Sequence, residues 1–336
     1  MKKHLLSEDK NTYKANLHAH TNISDGRLSP EELKELYKSG GYSVVAFTDH
    51  DIMIPHNELT DDTFIALSGF EAQFNGSNKY PGVPNEKKCH ICFIAGRSDI
   101  VEQPCFKEEY AYIGNCAKHR DRVRFDSESS PFVREYTPEC INKMVRIAKE
   151  KGFFITYNHP AWSLENYEQY TKYDGFHAVE VFNYATEGLG YQSTATYAYD
   201  DMLRSGKKLF AVAADDVHAN NGTCDCFGGF VMIKAKELTY EQITDALFKG
   251  DFYASTGPEL HEIYVEDGKL HVRTSDASSI SLTTDGRRTK YAYSKDGDAI
   301  TEAVFALDFE YRYFRITVKD LNGNYAYTNA FFAEDV

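Results

Sequence analysis

The sequence predicts an α/β protein: a β/α barrel-like succession of strands and helices, followed by a small C-terminal antiparallel β domain. Three observations carry this. Short apolar runs alternate with capped amphipathic segments from Tyr13 to about Ser255. Histidines and acids recur at the ends of those runs, where functional residues gather past the C-terminal ends of parallel strands in a β/α barrel. From Leu260 onward the apolar pattern has period two and is broken by Asp-Gly and Asn-Gly turns, which reads as antiparallel hairpins. The expected division is therefore residues 1–255 for the barrel and 256–336 for a β-sandwich-like module, with Thr256-Gly257-Pro258 as the hinge.

The first run, Tyr13 to Leu17, leads into His18-Ala19-His20, and residues two apart on a strand share a face, so both imidazoles converge. Asp25 follows in the next loop. Ser29-Pro30-Glu31-Glu32 is a helix start with a capping hydroxyl, proline at the first helical position and acids in the first turn. Leu33, Leu36 and Tyr37 form its apolar stripe, and Gly40-Gly41 ends it. The second run, Ser43 to Phe47, delivers Asp49 and His50, completing a βαβ unit. A third, Phe64 to Leu67, leads to Glu71. In the fourth, His90 to Ala95, the histidine opens the run, which an antiparallel strand or a bent loop would each explain.

Residues 97–135 are irregular and charged, as a lid or binding loop is. Lys118, His119, Arg120, Arg122 and Arg124 make the segment locally basic, either as a solvated face or as a phosphate contact. Regularity resumes with a capped helix at Thr137-Pro138-Glu139, whose stripe runs through Ile141, Met144, Val145 and Ala148. The strand Phe153 to Tyr157 then ends in Asn158-His159-Pro160. A helix is expected around Leu164 to Tyr173, then the strand Ala178 to Phe182 with Glu180 inside it and Asn183 at its end. A further helix precedes the strand Lys208 to Ala214, which ends in Asp215-Asp216-Val217-His218. Strand Gly229 to Ala235 and helix Thr239 to Phe248 complete the first part.

Composition excludes some classes. A net charge of -14 argues against a stable, sequence-independent grip on nucleic acid, which needs clustered Lys and Arg. No apolar stretch is long enough to span a bilayer, and the N-terminal residues do not read as a signal peptide, so a cytoplasmic location and no membrane partner are expected. Seven cysteines without a repeating framework read as reduced thiols. Cys89 and Cys92 form C-x-x-C and Cys224 and Cys226 form C-x-C, but strand residues three apart face opposite sides, which argues against a structural zinc at the first pair.

Collected, the metal-ligand candidates are His18, His20, Asp25, His50, Glu71, His90, His159, Asp216 and His218. Nitrogen and oxygen donors of this kind suit Zn, Mn or Fe. The ordered set, H-A-H at 18–20, T-D-H-D at 48–51, Glu71, His90, N-H-P at 158–160 and D-V-H at 216–218, resembles the PHP (polymerase and histidinol phosphatase) superfamily over about residues 14–255. The likeness is to stand-alone metal-dependent phosphoesterases with a C-terminal β extension.

That resemblance implies a distorted seven-stranded β/α barrel holding two or three divalent transition metal ions. Position by position, His18, His20, Glu71 and Asp216 would hold one ion and Glu71, His90 and His159 a second. Asp25, His50 and His218 would hold a third, with Asp25 where many three-metal members have histidine. It further implies hydrolysis of phosphate esters, by a phosphatase or phosphodiesterase acting on a small phosphorylated metabolite or nucleotide with a metal-bridged hydroxide as nucleophile. Asp49, Asp51 and Asp215 flank ligands, and either orient imidazoles or serve as loop acids and caps. Glu180 and Asn183 are expected to face the site and contact substrate, and Arg97 and Arg120 to supply positive charge for phosphate. Two other readings stand beside this one: a carboxyl-ester, carbamate or amide hydrolase using the same centre, and a non-catalytic metal-binding scaffold whose β module recruits a partner. Oligomeric state is not legible in the sequence.

Overall fold

The computed structural model describes residues 2–6, 10–76, 87–220, 225–295 and 297–336; Cys224 of the C-x-C pair lies outside them. After a two-residue strand β1 (Lys3–His4), β2 (Asn11–Asn16) leads to α1 (Pro30–Ser39) and β3 (Val44–Phe47). The α1 start is a capping box: Ser29 Oγ accepts from Glu32 N, and the Glu32 carboxylate accepts from Ser29 N at 2.8 Å. Its apolar stripe buries Leu33 and Tyr37. Strands β4 (Ile65–Asn75) and β5 (Lys88–Ala95) follow, then α2 (Pro138–Glu150), β6 (Phe153–Tyr157), the single turn α3 (Tyr167–Tyr170) and β7 (Ala178–Asn183). Next come α4 (Tyr184–Gly188), α5 (Thr196–Arg204), β8 (Phe210–Ala214), β9 (Phe230–Ala235), α6 (Tyr240–Lys249) and β10 (Phe252–Ser255). The helix expected over 164–173 is reduced to α3, because Asn166 caps it only at Tyr167 and it ends within one turn.

The remaining strands are β11 (Leu260–Glu266), β12 (Lys269–Ala277), β13 (Ser279–Thr284), β14 (Thr289–Tyr293), β15 (Ile300–Ala306), β16 (Tyr313–Lys319), β17 (Tyr325–Thr328) and β18 (Phe331–Phe332). Strands β14 and β15 escape the sequence pattern because their outward residues are as often aromatic or aliphatic as polar: Tyr291, Tyr293 and Val304 are exposed.

The large sheet runs β14-β13-β16-β17-β10-β9-β2-β3-β4-β5-β6-β7-β8, with β18 on β16. Pairs β2/β3, β3/β4, β6/β7 and β7/β8 are parallel, whereas β5 is antiparallel to both its neighbours. That reversal explains why His90 opens its strand: the start of β5 lies at the same end of the sheet as the finish of its neighbours. The expected seven-stranded barrel is not a closed ladder. The far edge of β2 is taken by β9 over five residue pairs, and among the described residues β8 does not pair with β2; one parallel bridge, Ala19 to Val217, joins the segments that follow the two strands.

The sheet also runs without a break across the expected boundary at 255/256, since β10 pairs with β9 on one side and β17 on the other. Strands β1, β11, β12 and β15 form a second sheet. It covers the end of the first in a two-layer arrangement, packing Ile263, Leu270 and Val272 against Ile280, Phe314 and Ile316. Full burial of each such side chain is worth about 1.5–3 kcal/mol relative to exposure. A larger core, including Phe70, Phe93, Ile141, Met144, Tyr157 and Tyr199, lies between the β4–β8 strands and helices α2 and α5. Among the described residues no helix is long and apolar enough to cross a membrane.

Candidate metal centre

Seven of the nine ligand candidates line one cleft, and the buried His18 and His20 lie against its Glu71 and Asp216. Beyond β2 the chain stays extended, so His18 and His20 point the same way, with their Nε2 atoms 3.1 Å apart. Glu71 does not lie beyond a strand end, as its spacing suggested, but inside the long β4, paired across the ladder with Cys92. One of its oxygens lies 3.1 Å from His18 Nε2 and 3.2 Å from both His90 Nδ1 and His159 Nε2. The other is 3.1 Å from His50 Nδ1 and 3.7 Å from His20 Nε2. Asp216 Oδ1 is 3.0 Å from His20 Nε2 and 3.1 Å from His18 Nε2. At the cleft mouth Asp25 approaches His20, His50 and His218 at 4.0, 3.6 and 3.6 Å. The His20 ring stacks between those of His50 and His218, at centroid distances of 4.3 and 4.4 Å.

Two of these residues hold strained backbone. His159 has φ +26° and Asp216 φ +55°, in the left-handed region that non-glycine residues rarely occupy. The conformation turns each side chain back over the strand ends into the cleft.

Burial alone would raise the Glu71 carboxyl, but the neighbouring His90 and His18 imidazoles hold it well below the usual carboxylate range. Asp216 is held down in the same way, by His18 and His20 against burial. Burial pushes His90 down to about 4 against the pull of Glu71, whereas at His50 burial, the largest single influence, is outweighed by Glu71, Asp25 and Asp51 together, which lift the ring to about 9. The buried centre therefore carries ionised carboxylates whose charge must be balanced by imidazole protons or by cations.

The donor atoms fit metal ions. His20 Nδ1, Asp25 Oδ1, His50 Nδ1 and Asp216 Oδ1 are buried without a hydrogen-bond partner among the described residues, although other donors and acceptors lie within 4 Å. Atoms this close that do not align as hydrogen bonds are converging on shared points, as ligands do. Four sets bring their donor atoms within 4.8 Å of one another: His20, Asp25, His50 and His218; His18, His159 and Asp216; His18, Glu71 and Cys92; and His50, Glu71 and His90.

Several neighbours differ from the sequence expectation. Glu180, expected to touch substrate, instead accepts from His18 Nδ1 at 2.7 Å and from His159 N at 2.8 Å. Asn183 donates to Glu180 at 2.9 Å and Asp216 at 3.3 Å, and caps α4; it is buried behind these acids, away from the cleft. Asp49 accepts from Thr21 and Ser24, bracing the loop that carries Asp25, and among the described residues it pairs with none of the candidate imidazoles. Asp215 accepts from Tyr37 Oη and from the amides of Phe227, Gly228 and Gly229. Asp51 pairs with the buried Arg134. Arg97 and Arg120 do not line the cleft: Arg97 is exposed and pairs with Asp99, and Arg120 is spent on Ala111 O and Glu108. Both belong to the irregular 97–135 segment, where charge by itself carries no direction.

Gln73 and Cys92 lie two residues along their strands from Glu71 and His90, and Asn158 lies next to His159. Gln73 accepts from His90 Nε2 at 2.9 Å; Cys92 shares the face of His90; Asn158 donates to Glu71 at 2.7 Å and to Cys92 Sγ at 3.1 Å. Spacing of two along β4 and β5 was the available signal. Cys89 lies on the opposite face of β5, in the hydrophobic core, so no zinc forms on the C-x-x-C pair. The cleft is about 420 Å³. Its outer wall includes Tyr112, Ile113, Trp162 and Leu189.

No family model matches the chain, and no curated protein does. Among solved structures, the chain is similar to a two-domain protein from Bacteroides vulgatus ATCC 8482 containing a predicted PHP-like metal-dependent phosphoesterase, at 15% identity and TM-score 0.46 over 98% of each chain. A candidate metal-dependent phosphoesterase from Bifidobacterium adolescentis ATCC 15703 matches 62% of this chain and 89% of its own, at 13% identity and TM-score 0.36. An amidohydrolase from Chromobacterium violaceum, with bound sulfate and no metal, matches 61% and 87%, at 15% identity and TM-score 0.34.

Proposed function

We propose that the cleft is the centre of a metal-dependent phosphoester hydrolase acting on a small phosphorylated substrate. The observation that carries this is Glu71: one buried carboxylate approached by five imidazoles, next to a second carboxylate, Asp216, approached by three of them and by His218. Shared carboxylates between histidine sets are what a multinuclear centre needs. His18, His20, Glu71 and Asp216 would hold one ion, Glu71, His90 and His159 a second, and Asp25, His50 and His218 a third. When bound, divalent ions supply charge that polarises phosphoryl oxygens and lowers the pKa of water.

The protein's own part is positioning. Glu180 holds the His18 ring by Nδ1, so that Nε2 faces Glu71 and Asp216. Gln73 does the same for His90 from Nε2, leaving Nδ1 toward Glu71. Asp49 fixes the Thr21–Ser24 loop and thereby the reach of Asp25. Cys116 Sγ donates to His50 O at 3.0 Å, tying the irregular segment down over the mouth.

A second reading, hydrolysis of carboxyl esters, carbamates or amides by the same centre, draws support from the apolar outer wall and the scarcity of cations lining the cleft. Elemental analysis of protein purified without chelator, with turnover of p-nitrophenyl phosphate, bis-p-nitrophenyl phosphate and p-nitrophenyl acetate, separates the two. The expected result is two or three equivalents of Zn, Mn or Fe with phosphate-ester turnover, abolished in the folded His18→Ala, His20→Ala double variant. Turnover of acetate alone would favour the second reading, and unchanged phosphate turnover in the double variant would overturn the first.

A further inference from the structure

Among the described residues lining the cleft, Lys88 is the one lysine or arginine. It stands two residues before His90 on the same face of β5, and its Nζ donates to Gln73 Oε1 at 3.4 Å, the atom that also faces His90 Nε2 at 2.9 Å. Since His90 Nδ1 faces Glu71, the ammonium lies beyond the His90 ring as seen from the carboxylates. No carboxylate among the described residues pairs with it. Beside it, Trp162 packs on the rings of both His90 and His159, each at a centroid distance of 5.0 Å, and Lys88 Nζ lies 5.8 Å from the Trp162 ring. Leu189 and Tyr112 belong to the same outer region. A cleft of about 420 Å³ holds roughly fourteen times the liquid volume of a water, well beyond the needs of a bare phosphate.

We propose that Trp162 and Lys88 form a recognition wall for the part of the substrate outside the metal-facing side chains. A flat unsaturated ring packs against the indole, and a second negative group on that ring meets the ammonium. This rests on the phosphoester reading above and narrows its substrate class to ring-bearing phosphate esters with a further anionic substituent. An uncharged aliphatic ester offers nothing to either residue. An aromatic ring gains contact with the indole, and a carboxylate or phosphate gains a charge-assisted hydrogen bond from a lysine that pairs with no carboxylate among the described residues.

Trp162 is the chain's single tryptophan, so its emission reports directly on this wall. Metal-loaded protein is titrated with three non-hydrolysable probes: methylphosphonate, phenylphosphonate and 4-carboxyphenylphosphonate. Saturable change in emission is expected for the two aryl probes, with the carboxylated one bound about tenfold tighter than the plain one. Lys88→Met should abolish that tenfold preference. Trp162→Leu, followed by calorimetry, should weaken both aryl probes about three- to tenfold relative to methylphosphonate. Equal affinity of the three probes, or a preference that survives Lys88→Met, would overturn the proposal. Probe binding with the expected preference but no turnover of any phosphate ester would sink the hydrolase reading and leave the wall standing. Turnover of phosphate esters without the preference would do the reverse.

Discussion

Glu180 Oε1 lies 2.7 Å from His18 Nδ1, with both side chains buried, while the other ring nitrogen of His18 faces Glu71 and Asp216. A carboxylate behind an imidazole fixes its tautomer and orientation and raises its basicity toward a metal. Glu180→Gln keeps an acceptor but removes the charge. Metal affinity should fall about 10- to 100-fold, read by competition with a chromophoric chelator, while far-ultraviolet dichroism is unchanged. Equal affinity in the variant would show that Glu180 is a packing residue.

Removing metal should lower stability. At a free metal concentration of about 100 times Kd, binding to the native state adds about 2.7 kcal/mol. Chelator-stripped protein should therefore melt several degrees lower than protein restored with Zn or Mn. In Glu71→Gln, which strips charge from the acid that five imidazoles share, the restoring ion should shift the melting temperature little. A full shift in that variant would exclude Glu71 as a ligand.

Arg134 reaches from the irregular segment to Asp51, beside His50, and its guanidinium also donates to Gln73 O at 3.1 Å. Both members of the pair are nearly fully buried, at 4% and 3% exposure. Arg134→Ala leaves Asp51 uncompensated and should cost about 3–5 kcal/mol, measured by urea denaturation. Adding Asp51→Asn should recover part of it. A loss under about 1 kcal/mol would mean that water reaches the site and solvates the acid.

His177 gives a pH signature away from the candidate metal centre. It packs on Phe154 and Phe248 and accepts from Ile155 N at 3.1 Å, and burial lowers it to about 4. A base whose folded pKa lies below its unfolded one binds fewer protons when native. Its stabilising effect is complete above about pH 6.5 and is lost as pH falls toward 4, amounting to about 1–3 kcal/mol. His177→Asn keeps an acceptor for Ile155 N but cannot titrate. Between pH 6.5 and 4 the wild type should lose more stability than the variant in matched urea titrations; parallel losses would refute the assignment.

The ligand candidates were legible because most are tied to a local pattern. H-A-H after an apolar run, T-D-H-D after the next, and N-H-P and D-V-H after later ones mark strand ends, and strand periodicity aims alternate residues at one face. Glu71 lies inside a strand that runs past the end its apolar run suggests, whereas His90 does open its strand, and which of the two explanations for that holds depends on the edge β5 joins. Gln73, Cys92 and Lys88 were within reach of the same period-two rule. Arg97 and Arg120 were chosen for charge alone, and charge on an irregular segment does not say where a side chain goes.

By itself the sequence determined most of the strands and helices, through apolar period and caps such as Ser29 with Glu32, and which residues could bind metal. Only the tertiary structure decided that the sheet stays open, because β9 occupies the edge of β2 that β8 would need for closure. It likewise decided that the C-terminal strands continue the same sheet through β10, and that Glu180 stands behind His18 and Asn183 behind Asp216. The physical reason is common to all of these. Hydrogen-bonded ladders and buried ion pairs join residues as far apart as His18 and Glu180 or Tyr253 and Thr328, and no local pattern records which distant partner will win.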